Sequence, residues 1–409
     1  MQTASASPAG ERIAVVDVLR AYALFGIIIT HAVNGFLAGP PPGPDFMLGT
    51  PLDRGVAQAE HLLTFGKFFT IFSFLFGLSF AIQLNNATQK GVPFAGRFTW
   101  RLMVLALIAL VHGLFFTGDI LIVYVVLGLL LIPFRKLKTR TLFIIGLILV
   151  LNIPGLLMGS LLLSAPPPTP EQIQASAEQA QNFAQIGLQQ FEIKRSGSLG
   201  ELAYVNYTSG FVTKSFFMIF TGRLWITFGL FLLGMCAGRL EIFRDSDANR
   251  RFFRGLLLPA GIVAAITTAV ELIHPMGFRV QSVADLLSSF SFSLQQLSLS
   301  AFYVAAVALL YWRSPTRGLL PALAPAGKMG LTTYLGQTVF GVVMFYGVGF
   351  GLLGQVGAAV AAGAAILFFA LQIVLAQLWM KRFNLGPVEW VWRSLTHLKW
   401  QPMARRLPA

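Results

Sequence analysis

The chain has 409 residues, of which 56% are hydrophobic and only 11% are charged, against about 25% charged in soluble domains. Lys and Arg number 30 against 16 acids, a net charge of +14, which in a soluble protein would point to nucleic acid. Apolar runs of roughly 18 or more residues recur along the whole chain and exclude that reading, so the sequence predicts an all-α polytopic membrane protein of about ten transmembrane helices, with eight as the lower bound.

In chain order, residues 1–20 are polar and 21–38 apolar, and the weak charged region with a long apolar stretch reads as a retained first helix rather than a cleaved signal peptide. Candidate spans follow at about 64–84, 99–116, 120–134 and 141–163, completing an N-terminal five-helix half over 1–163. The next segment, 164–221, opens on Pro166, Pro167 and Pro168. Over 170–194 it has Ile173, Ala177, Ala180, Ala184, Leu188 and Phe191 at helical spacing, which predicts an amphipathic helix. Residues 201–221 alternate aromatic and polar and read as interfacial or re-entrant. This extracytoplasmic segment either caps an outward-facing cavity or lies on the bilayer. Spans at 222–238, 255–273, 286–312, 329–350 and 356–380 make a C-terminal half, 222–382. The tail, 383–409, carries Trp390, Trp392 and Trp400 beside Arg393 and Lys399, a composition suited to headgroups. Cys236 is the single cysteine, so no disulfide forms within the chain.

The charges orient these spans. With the N-terminus inside, the predicted cytoplasmic segments hold 23 of the 30 Lys and Arg, and every one of them is basic, as the positive-inside rule requires. An even number of spans puts both termini in the cytoplasm, in a bacterial inner membrane.

Ionisable residues inside spans are functional candidates. Asp17 and Arg20 share one face of the first helix. His31, 11 residues beyond Arg20, returns to within roughly 20° of that face about 16 Å deeper, and Asn34 continues the stripe. Arg101 and His112 repeat the spacing in the third span, so the two imidazoles are expected at one depth. Asp119 sits just beyond, placed to orient a His. His61, Lys67 and Arg223 are expected in the same outer layer, with Glu271 and His274. Tyr334 and Gln337 lie on a polar face of the ninth span, as a ligand face or as ordinary interhelical hydrogen bonding. No His spacing suits a metal, and none is expected.

The segments DVLRAYALFGIII (17–29), FFTIFSFLFGLSFAI (68–82) and GDILIVYVVLGLLLIPFR (118–135) resemble the YeiB-like bacterial membrane proteins, named for domain of unknown function 418. So do GKMGLTTYLGQT (327–338), FYGVGFGLLG (345–354) and NLGPVEWVWRSLTHLKW (384–400). The chain departs from that pattern at Ala21, where the family usually has Gly, and at Thr30-His31, where Val-Asn is common.

That family is in turn similar, in its first helix, to transmembrane acyltransferases: the heparan glucosaminide acetyltransferases and the acyltransferase-three group. There an Asp-x-x-Arg start and a later His serve transfer from cytosolic acyl-CoA to an extracytoplasmic acceptor. The resemblance implies those places for Asp17, Arg20 and His31. The expected activity is therefore O- or N-acyl transfer, with His31 as general base. His112 or Asn34 would be the donor to the oxyanion, and Asp119 a further catalytic residue. Arg20, Arg97 and Arg101 would hold the phosphates of acyl-CoA. The acceptor is an envelope sugar or lipid, membrane lipid is a partner, and nucleic acid is not. The same charged interior also fits a transporter or lipid-handling protein, and a scaffold without a small-molecule site is the third alternative.

Overall fold

A computed structural model describes residues 13–277, 281–315 and 318–405; Arg12, Arg279, Arg317 and Arg406 of the charge map lie outside the described residues. Helices account for the architecture, and the described residues form no strand beyond an isolated antiparallel bridge between Phe383 and Ala404.

The N-terminal helices are α1 (Ala14–Val33), α2 (Pro51–Leu63), α3 (Lys67–Gln89), α4 (Ala95–Gly113), α5 (Leu121–Phe134), α6 (Thr139–Val150) and α7 (Ile153–Ser164). The middle segment is α8 (Pro170–Ser196), α9 (Leu199–Tyr207) and α10 (Ser209–Phe220). Then come α11 (Arg223–Arg239), α12 (Asp247–Ile273), α13 (Val283–Arg313), α14 (Leu319–Lys328), α15 (Gly330–Phe345), α16 (Ala358–Arg382) and α17 (Pro387–His397).

Six stretches are long and apolar enough to cross a bilayer: α1, α2 with α3, α4, α12, α13 and α16. The number rises to eight if α6 with α7, bent by 44°, and α9–α10 with α11, bent by 65°, each form one span. The predicted fifth span thus breaks, at Asn152, whose left-handed backbone (φ +55°) no continuous helix accepts. Two more expected spans, α5 and α15, have 14 and 16 residues, about 21 and 24 Å of helix against ~30 Å of hydrocarbon.

The first helix also differs from its predicted bounds. It begins at Ala14 rather than 21, because Asp17 and Arg20 neutralise each other at 2.6 Å and Arg20 also donates to Ser79 Oγ at 2.7 Å. Its polar first turns are thereby buried against α3. At the other end His31 is in the last turn and Asn34 is the C-cap, bonded back to Thr30 O. Asn34 therefore leaves the helical stripe that the sequence assigned to it.

α1 is central. It packs against α2, α3, α13, α14, α15 and α16, and 56% of its apolar window is buried, against 22% for α12 and 28% for α16. Those two turn Leu258, Ile262, Ile266, Leu367, Leu371 and Leu378 outward, the apolar belt that a bilayer would cover. α3 and α11 cross closely because small residues face backbone. A Cβ on Gly77 would lie 2.0 Å from Phe231 O, and one on Gly234 2.0 Å from Phe74 O.

The middle segment docks at one end only. Of the predicted amphipathic face of α8 Phe191 is buried while Ile173 and Leu188 are exposed, and the remaining contact is made by Gly187, Gln190 and Lys194. Lys194 Nζ donates to Leu37 O beyond α1, and Gly347 N donates to Lys194 O. The N-terminal part of α8 stands exposed. α9 and α10 pin the loop after α4: Asn206 takes Thr117 Oγ1 and donates to Leu114 O, and Lys214 Nζ donates to Asp119 O.

Candidate functional site

The site grows from three helix ends under that covering segment. Asp119 precedes α5, and its carboxylate accepts the free amides of Leu121 at 3.1 Å and Ile122 at 3.2 Å. Those two donors fix the carboxylate in orientation at the helix N-terminus. Its Oδ1 also lies 2.8 Å from His112 Nδ1, in the last turn of α4. An ionised carboxylate only accepts, so Nδ1 carries the proton and Nε2 is left with its lone pair. That lone pair faces Thr338 Oγ1 of α15 at 2.7 Å. Asp119, His112 and Thr338 are all buried, and together they form a carboxylate–imidazole–hydroxyl chain.

Tyr334 lies one turn before Thr338, its ring 5.3 Å from that of His112, and its buried hydroxyl donates to no acceptor among the described residues. Gln337 donates to Leu24 O at 3.1 Å and so fixes α15 to α1, while its own carbonyl oxygen is buried and unpartnered. His31 reaches the same place from α1. Its ring packs edge-on to Phe116 at 5.0 Å, and Phe116 meets His112 at 6.1 Å, so one phenyl ring touches both imidazoles. His31 differs in having no hydrogen bond to its ring among the described residues, only contacts to Phe36 and Phe116.

His61, Lys67 and Arg223 form a separate group on the α2 side of α1. His61 Nε2 meets Glu271 Oε1 at 3.1 Å, and Lys67 Nζ donates to His61 O at 2.9 Å. Thr30 Oγ1 donates to Glu60 Oε1 at 2.7 Å. Arg223 lies over the rings of Phe65, Phe69 and Phe217. Among the described residues no hydrogen bond joins this group to His112, so the outer candidates form two separate hydrogen-bonded groups.

The basic end of the bundle is organised by α17. Trp392 stacks on the Arg101 guanidinium at 4.0 Å and donates its indole N–H to Arg101 O at 3.0 Å. Burial and the charges of Arg393, Arg97 and Arg101 hold the His397 imidazole below its ordinary pKa, so these three arginines converge on one edge of α17. Arg97 and Arg393 are exposed there, and Arg20 lies inward on α1. Nearby, a cleft of about 440 Å³ is lined by Asp17, Lys328, Lys381 and Arg405 among others.

Glu389 of α17 caps α15. It accepts from Leu331 N at 2.6 Å, Thr332 N at 3.0 Å and Thr332 Oγ1 at 2.5 Å. The motifs at 327–338 and 384–400 are thus halves of one contact. Glu389→Ala removes an acceptor worth about 1.5–3 kcal/mol, so hydrogen exchange at the Leu331 and Thr332 amides is expected to speed up at least about tenfold.

Sequence reasoning missed Thr338, Glu60 and Glu389. One Thr of three in α15, a Glu in the polar α2 and a Glu in a tail carry no periodic or spacing signal; only the tertiary contact marks them.

The family described as "Protein of unknown function (DUF418)" matches residues 237–399. The uncharacterized protein YxaH of Bacillus subtilis (strain 168) is 31% identical over 97% of this chain and 97% of its own length. The chain belongs to the DUF418 family. Similarity extends to the uncharacterized protein YeiB of Escherichia coli (strain K12), 27% identical over 94% of this chain and 96% of that one. No solved structure matches the chain.

Proposed function

We propose that this DUF418 protein is a membrane-embedded acyltransferase that moves an acyl group from cytosolic acyl-CoA to an envelope sugar or lipid. The observation that carries this reading is the Asp119–His112–Thr338 chain: a buried imidazole whose tautomer is set by an anchored carboxylate and whose bare nitrogen faces a hydroxyl. That arrangement suits proton abstraction during attack on a carbonyl carbon. His112, oriented by an acid, takes the role of base in place of His31, which packs on the same Phe116 ring. Arg97, Arg101 and Arg393 at the basic end are placed for the phosphates of the donor. The excess of Lys and Arg there supports a cytoplasmic side for that end, in a membrane that we take to be a bacterial inner membrane. His112 is 11 residues along α4 from Arg101, about 16 Å of helix, a span that an extended thioester arm has to bridge.

The test uses inverted membrane vesicles carrying the full chain and radiolabelled acetyl-CoA. Label is expected in the lipid and envelope-polymer fractions above vesicles that lack the protein, and equal labelling overturns the reading. The second polar cluster favours the other reading, transport or lipid handling. It pairs Glu271 with His61 beside Lys67, and Glu271 Oε2 is buried with no partner, as in a proton or substrate path. Uptake of an envelope lipid or sugar into vesicles without any acyl donor would support it.

A further inference from the structure

We propose that Thr338 is the nucleophile of a two-step transfer, holding the acyl group as an ester between donor and acceptor. This deepens the acyltransferase reading and rests on it.

The direction of the hydroxyl is the first observation. Ser and Thr in a helix commonly spend their hydroxyl on the carbonyl four residues back, and this chain does so repeatedly: Thr70 to Gly66, Ser73 to Phe69, Ser79 to Leu75, Thr227 to Arg223 and Thr267 to Val263. Thr338 instead gives its hydroxyl to His112 Nε2 at 2.7 Å. The second observation is Tyr334, on the same face one turn away. Buried tyrosine hydroxyls elsewhere in the bundle are partnered, Tyr346 with Phe36 O and Tyr124 with Ser73. Tyr334 is 4% exposed, and its hydroxyl donates to no acceptor among the described residues while the Ile120 backbone N–H faces its oxygen, which leaves its O–H for an oxyanion that exists only during reaction. The third is occupancy. The only lone pair on His112 is already taken by Thr338, so an acceptor hydroxyl would have to displace Thr338 before His112 could activate it directly. A covalent carrier also lets a donor from the basic end and an acceptor from the other end use one site in turn.

The chemistry balances without an outside reagent. Thr338 Oγ1 passes its proton to His112 Nε2 and attacks the thioester carbonyl carbon. The oxyanion takes the Tyr334 O–H as donor. The C–S bond breaks, and the thiolate leaves with the proton from His112, giving free thiol and acyl-Thr338. In the second half an acceptor hydroxyl gives its proton to His112 and attacks the ester carbonyl. Thr338 Oγ1 then leaves and recovers that proton. Asp119 keeps the Nδ1 proton throughout and balances the imidazolium.

The experiment incubates the purified full chain in nanodiscs with radiolabelled acetyl-CoA and no acceptor, then denatures it and maps the label by peptide mass spectrometry. The expected result is label approaching one acetyl per chain on Thr338, released by hydroxylamine. Thr338→Val, of the same shape, loses the label to background, and Thr338→Ser restores it. Label on another residue overturns the proposal. So does an unlabelled wild type whose Thr338→Val variant still transfers acetyl in vesicles, and in that case the acyltransferase reading stands. If wild type neither labels nor transfers, both fall together.

Discussion

His112→Ala is expected to lower acyl transfer by about 10²–10⁴-fold, the range that a positioned general base contributes. The same loss is expected from Asp119→Asn although it changes one atom. The carboxylate now compels Nδ1 to hold the proton; an amide can donate instead, which moves the proton to Nε2 and turns its lone pair away from Thr338. Asp119→Asn keeps an oxygen acceptor for Ile122 N and gives up the one for Leu121 N, so α5 retains part of its cap and folded protein is quantified alongside activity. His31→Ala is expected to cost less than either, because no acid orients that ring. Initial rates of label incorporation in vesicles, normalised to folded protein, rank the three variants. A His31→Ala loss equal to or larger than that of His112→Ala would return the base role to His31.

Gly77→Ala is expected to be strongly destabilising. Its Cβ would lie 2.0 Å from Phe231 O, a backbone atom that cannot rotate away, so α3 and α11 have to separate. Overpacking of this kind costs about 1–3 kcal/mol and occasionally more. The reciprocal Gly234→Ala meets Phe74 O at 2.0 Å and is expected to behave alike. Gly363 of α16 has nothing within 4 Å of its would-be Cβ, and Gly363→Ala is expected to be neutral or to stabilise by about 0.5–1 kcal/mol through helix propensity. Thermal unfolding of the three variants in one detergent checks the order. A Gly77→Ala midpoint equal to that of Gly363→Ala would mean the helices are not in contact as described.

The two predictions differ in how far the sequence anticipates them. His112 and Asp119 are visible in advance, since an imidazole and a carboxylate near the end of apolar runs stand out where lipid tolerates neither unpaired. Thr338 is not visible, because a single hydroxyl in GKMGLTTYLGQT has the same local cost whether it bonds its own helix or an imidazole 226 positions away. Gly77 and Gly234 are likewise ordinary glycines in apolar helices until a carbonyl is brought against each. Asn34 shows the opposite failure: helical periodicity extends its stripe, but the helix ends at Val33 with Asn34 as its cap.

What the sequence by itself determined is the solvent and the class of fold. A chain with 11% charged residues and recurrent apolar runs has to satisfy its backbone inside helices and bury them in lipid, and the placement of Lys and Arg sets the expected orientation. Family membership was equally legible, because its motifs are contiguous in the chain. Only the tertiary structure decided which polar residues meet. It put His112 with Asp119 and Thr338, joined His61 to Glu271 and Lys67 in a separate group, and made Glu389 the cap of α15. The physical reason is that periodicity reports the face a side chain occupies on its own helix. Which helix that face meets depends on close backbone crossings and bent spans, and no local pattern encodes those.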